Sequence, residues 1–125
     1  MGLMMRIAAL LCLGCAMGSA GNWSGVLVDS KCYDTEERNV NPFDGSTDVD
    51  HDRGLEIRIC RPSAHTKSFS VVKKEDGVSF RLDAAGNAKA ASLVRKAGKK
   101  TYFVVTVTGE MSKGTAKVDS ISMIR

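Results

Sequence analysis

The residues best suited to chemistry in this chain are carboxylates, thiols and two imidazoles. Asp48, Asp50 and Asp52 recur at every second position, with His51 among them. Alternate carboxylates in a loop can converge on a hard cation, and Ca²⁺ is the ion that such oxygen ligands suit. The twelve-residue calcium loop of the EF-hand needs Gly after its third acid and Glu at its last position. This chain has Arg53 and Ile59 there. Asp48, Asp50 and Asp52 are therefore the metal candidates, weighed against a plain solvated acidic loop. A softer site would join His51 and His65 to Cys32 and Cys60, but neither histidine stands at ligand spacing from another ligand. Gly-x-Ser-x-Gly, Cys-x-x-Cys, His-Glu-x-x-His and phosphate-binding glycine loops are all missing from the sequence. His51 or His65 could serve as a base, yet nothing marks a nucleophile or an oxyanion hole beside either. The expectation is a protein that is not an enzyme and has no cofactor, with Ca²⁺ on the acidic loop, or a small enzyme with an unrecognised site, as the alternatives.

The thiols gain meaning from the start of the chain. Arg6, the apolar run Ile7–Leu13 and the small residues Gly18-Ser19-Ala20 have the order of a secretory signal. The run is shorter than the roughly 20 residues a membrane-spanning helix needs. The expectation is a signal over 1–20 and a single exported domain over 21–125, periplasmic or secreted. Leu13-Gly14-Cys15 resembles the end of a lipobox, so a lipid anchor through Cys15 is the alternative. Of the four cysteines, only Cys32 and Cys60 follow the signal. Two cysteines in an oxidising compartment predict one disulfide, with a metal-binding thiolate pair as the alternative.

Charge is divided along the chain. Between Asp34 and Glu56 stand eight acidic residues (Asp34, Glu36, Glu37, Asp44, Asp48, Asp50, Asp52 and Glu56) against Arg38 and Arg53. From Ile57 onward the basic residues dominate. Such a balance can attract anionic polymers. Here the basic residues are spread out and are not interleaved with aromatics, which favours ordinary surface charge.

The elements that must position these groups read mainly as strands. Trp23–Asp29 is the first, with Gly25 as a bulge or bend. Tyr33–Arg53 reads as a long polar acidic loop carrying little structure, and Leu55, Ile57 and Ile59 alternate as a short strand, with one helical turn as the alternative. Ser68–Lys73 and Val78–Asp83 form a hairpin across Asp76-Gly77. Ala88–Ala97 is the only helix, capped by Asn87 and ended by Gly98. Lys100–Thr108 and Thr115–Ile124 are the last strands, joined by a loop over Gly109–Gly114. One short helix between strands 3 and 4 predicts a small five-stranded OB-like barrel; a β-sandwich is the alternative. The expected core is Val26, Val28, Phe69, Val71, Phe80, Leu82, Leu93, Phe103, Val105, Val107 and Val118.

Trp23-x-Gly25-x-x-x-Asp29-x-x-Cys32, the later Cys60, Phe80-x-Leu82-Asp83-x-x-Gly86-Asn87 and Val105-Thr106-Val107-Thr108-Gly109 together resemble a group of small exported bacterial proteins of the acidobacterial type. The resemblance implies a single OB-like barrel and brings no activity, substrate or cofactor. Relatives often have Cys-Gly at the first cysteine, where this chain has Cys32-Tyr33. Three functional readings stand: a non-enzymatic binding domain for a glycan, peptide or envelope protein; a divalent-cation-binding protein using the acidic loop; or a small enzyme with an unrecognised site. Nucleic acid is a poor partner for an exported chain, and a monomer is expected. A binding face of the barrel could draw on Tyr102, Phe69, Phe80, Arg81 and Lys73, although Phe69 and Phe80 alternate as core residues.

Overall fold

A computed structural model describes residues 19–39 and 54–124. The strands are β1 (Ser19–Asp29), β2 (Phe69–Lys73), β3 (Ser79–Leu82), β4 (Val104–Ser112) and β5 (Thr115–Met123). The helices are α1 (Ser30–Asn39), a short α2 (residues 54–59) and α3 (Ala84–Ala97). The strands close into a barrel in the order β1-β2-β3-β5-β4. Every pairing is antiparallel except β3 with β5, which run parallel through Arg81↔Thr115 and Leu82↔Ala116. Closure removes the free edges that would otherwise invite pairing with another chain. The small OB-like barrel expected from the sequence is therefore the fold.

The barrel interior holds Leu27, Phe69, Val71, Phe80, Leu82, Phe103, Val105, Val107 and Val118, with Ala90 and Val94 from α3. Trp23 leans on this cluster, its ring centroid 5.8 Å from that of Phe80. The face of β1 is opposite to expectation: Leu27 points inward, Val28 is buried outside the barrel, and Val26 is only partly buried. Val26-Leu27-Val28 are all strand formers, so alternation could not choose the inner residue. Leu93 likewise yields its place to Val94. Gly25 makes no bulge; it passes close to β2, and a Cβ there would lie 2.2 Å from the Val72 carbonyl oxygen.

Ser19 and Ala20, at the end of the expected signal, pair with Met111 and Glu110. A strand starting at Gly21 would still keep the register from Gly21↔Gly109 to Val26↔Val104.

Two segments expected to be irregular or extended are helical. α1 replaces the first part of the supposed loop over 33–53. Asp29 caps it by accepting from the Cys32 backbone N–H at 3.1 Å, and Tyr33 is buried beside Val28, Cys60 and Val72. In α2 the apolar alternation misleads. The Cys60 N–H donates to the Glu56 carbonyl at 2.9 Å, a helical spacing that turns Glu56 and Cys60 inward and leaves Leu55 and Ile59 exposed. Residues 40–53 lie outside the described residues.

α3 starts earlier than expected. Asp83, not Asn87, is its cap, accepting from Gly86 N–H at 2.9 Å and Val118 N–H at 3.2 Å. Asn87 instead accepts from the Phe69 N–H at 2.9 Å. These bonds tie the helix to β5 and to the start of β2. Gly86 packs so closely that a Cβ would lie 2.5 Å from Val118 Cγ2 and 2.9 Å from Leu82 Cβ. Ala in place of Gly favours a helix by roughly 0.5–1 kcal/mol, whereas overpacking costs about 1–3 kcal/mol. Gly86→Ala should therefore lower the melting temperature; a rise would show that the helix can shift off the barrel freely.

The β4–β5 hairpin is longer than expected. β4 continues through Ser112, and the turn is Lys113-Gly114, with φ of 53° and 78°. Gly109 marks a register shift against β5 inside the strand.

Candidate functional site

In OB barrels the outer face of strands 2 and 3 commonly receives the ligand. Here the β2 part of that face is covered, while Ser79 and Arg81 on β3 stay exposed. Ser70 and Val72 point outward from β2 yet are 2% and 3% exposed. α1 lies across them: Ser70 Oγ donates to Ser30 Oγ at 2.9 Å, and Arg81 on β3 pairs with Asp34 on α1. Cys32 on α1 is joined to Cys60 by a disulfide with a Cα–Cα distance of 5.4 Å. The two sulfurs are bonded to each other, the disulfide expected from the sequence. Phe69 and Phe80 are core residues, and Arg81 is engaged by Asp34.

An open groove lies elsewhere, on the far edge of β1. The Leu27 and Asp29 N–H groups point to the same edge of that strand. Leu27 donates to the Phe103 carbonyl at 2.8 Å, and Asp29 donates to the Cys60 carbonyl at 2.8 Å. Two chain segments thus diverge from one strand edge. One is 98–103, leading from α3 into β4; the other is 60–64, held by the disulfide. Between them, against the last turn of α3, opens a hollow of about 700 Å³. Ile59, Pro62 and Val94 supply apolar walls, and Arg61, Arg95, Lys99 and Lys100 line it with positive charge.

Ser63 and Thr66 shape the 60–64 side. Thr66 Oγ1 donates to Asp29 Oδ2 at 2.9 Å and accepts from the Ser63 N–H at 3.0 Å. The cap of α1 and the groove wall therefore share one carboxylate.

The electrostatics are one-sided. Among the described residues no carboxylate lines the hollow. Ion pairs among the described residues join Lys73 to Asp76 and Arg81 to Asp34, and Arg61, Arg95, Lys99 and Lys100 take part in none. Some of this charge complements the C-terminal end of α3, which carries roughly −0.5 of an elementary charge. Four cations exceed that by a wide margin. A second hollow of about 690 Å³ shares Lys99, Lys100 and Thr101 with the first and adds Val26, Lys74, Tyr102 and Val104. Tyr102 is 43% exposed, so of the binding-face candidates it is the one that stands free in a hollow. Lys73 belongs to a neighbouring surface and is held by Asp76 at 3.3 Å.

Asp48, Asp50 and Asp52, with His51, lie outside the described residues. Among the described residues no three His, Cys, Asp or Glu side chains gather as metal ligands, and no helix is long and apolar enough to cross a membrane. His65 is exposed, and its backbone N–H bonds the Ser63 hydroxyl at 3.1 Å.

The groove cations escaped notice in the sequence because Arg61 stands 34 positions before Arg95. The available signals were the basic excess after Ile57 and the Lys99-Lys100 pair directly behind the helix-ending Gly98. Compared with protein families, with curated proteins and with solved structures, the chain shows no match.

Proposed function

We propose that this protein is an exported, non-enzymatic binding domain that holds an anionic envelope partner in the groove between residues 60–64 and 98–101. The observation that carries the reading is the set of four cations lining one hollow, with no carboxylate from the described residues beside them. Fixed charges of one sign in a cleft raise the local concentration of an oppositely charged ligand. A hollow of about 700 Å³ falls within the usual range of ligand sites. The covering of β2 by α1 supports the same choice, because it removes Ser70 and Val72 from the surface on which OB barrels commonly bind. Export is supported by the signal-like residues 1–20 and by the Cys32–Cys60 disulfide, and agrees with the resemblance to small exported bacterial proteins.

Binding of a sulfated dextran oligomer tests the reading. The double variant Arg61→Glu, Lys99→Gln removes three units of charge from the groove and places no carboxylate at the end of α3. Its affinity should fall about tenfold or more, equivalent to about 1.4 kcal/mol. Lys89→Glu combined with Lys117→Glu changes exposed charges outside the groove and should act far more weakly. Equal losses in the two double variants would mean that only net charge matters and would overturn the assignment.

A further inference from the structure

Resting on that reading, we infer that the two hollows form one continuous track for a linear acidic polysaccharide bearing a carboxylate on each sugar. The Lys99-Lys100-Thr101 segment is the wall that both hollows share. Among the described residues neither hollow has an acidic lining residue, so cationic side chains follow one another from Arg61 to Lys74, where the track ends against the Glu75 and Asp76 of a third hollow. Each hollow combines aliphatic walls with cations at its margin. Ile59, Pro62 and Val94 serve the first, and Val26 and Val104 with Tyr102 serve the second. A polyuronate has the matching character: sugar rings with apolar faces, and anionic groups repeated along the chain. Arg61 and Arg95 present the planar fork that fits a carboxylate in bidentate fashion.

The same geometry argues against other polyanions. Single-stranded nucleic acid draws much of its binding from bases stacked on successive aromatic rings, and Tyr102 is the one aromatic residue across both hollows. An acidic peptide adding as a strand needs free backbone groups on a sheet edge. The β1 edge beside the groove is already used, Leu27 by Phe103 and Asp29 by Cys60. An anionic bilayer is broad and flat, whereas these cations line concave surfaces.

The test measures binding of decagalacturonate, digalacturonate, neutral maltodecaose and an oligothymidylate to the purified chain. The decamer should bind at least tenfold more tightly than the dimer, because one ligand engages both hollows. Maltodecaose should not bind, and oligothymidylate should bind at least tenfold more weakly than the decamer. Arg61→Glu alters the first hollow and not the second; Lys74→Glu alters the second and not the first, although Lys74 also borders the third. Each should weaken decamer binding several-fold, with an unchanged melting temperature showing that the fold is intact. If only one substitution matters, or if dimer and decamer bind equally, the hollows do not act as one track. If sulfated dextran binds through the groove while decagalacturonate does not, or oligothymidylate equals it, the polyuronate assignment falls and the anion groove stands. If neither sulfated dextran nor decagalacturonate binds, both fall.

Discussion

Truncation of Phe103 to alanine should lower the stability of the barrel by about 3–5 kcal/mol, the range for removing a buried aromatic ring from a packed core. Phe103 is 1% exposed and belongs to the central cluster with Leu27, Phe80 and Val105. Its carbonyl also accepts from Leu27, but alanine keeps that bond, so the loss isolates the ring and the cavity it leaves. A denaturant titration reads the effect as a lower midpoint with an unchanged slope. Tyr102, one residue earlier, is the internal contrast. It is 43% exposed and lines the second hollow, so Tyr102→Ala should stay within about 0.5 kcal/mol in stability and act on ligand binding. A Phe103→Ala loss under about 0.5 kcal/mol would place that side chain outside the core and overturn the inward assignment of the residue that leads into β4.

Loss of the disulfide should have the second large effect. Cys32 and Cys60 are 28 residues apart, and closing a loop of that size stabilises a fold by about 3–4 kcal/mol on chain-entropy grounds. Against a typical domain stability of about 5–15 kcal/mol, Cys32→Ser removes a substantial share. The bond also organises a second core. Tyr33, Val28 and Val72 pack with Cys60, and the Cys60 carbonyl holds the free edge of β1 through Asp29. Arg61 follows directly in sequence, so the serine variant should lose affinity in the groove as well as stability. A wild-type protein whose denaturation midpoint is unmoved by reductant, although its thiols then titrate as free, would contradict this role.

The barrel was legible because its information is local. The Asp76-Gly77 turn, the alternation of Phe69 with Val71 and of Phe80 with Leu82, and the Ala-rich helix ended by Gly98 each declare an element within a few residues. Their order then leaves few topologies. The segment after β1 was not legible in the same way. α1 is a polar helix whose burial depends on one ring, Tyr33, and on a disulfide to a residue far along the chain. Leu55, Ile57 and Ile59 copy the period of a strand, but tertiary packing selects Glu56 and Cys60 for the inside. The choice of Leu27 over Val26 and Val28 was hidden for a related reason: both sides of β1 are covered near its end, so all three positions tolerate apolar residues. The groove was least visible. It exists because β4 and the 60–64 segment leave β1 at different points, and no single stretch of sequence encodes that divergence.

Backbone amide shift mapping during titration with a sulfated dextran oligomer separates an anion held in the groove, as proposed, from one held on the β2–β3 face. Saturable shifts are expected at Arg61, Ser63, Ala64 and Lys99–Tyr102. Ser70, Phe80 and Arg81, beneath or beside α1, should scarcely move. Shifts centred on β2, β3 and α1, or spread evenly over every exposed lysine and arginine, would contradict the proposal.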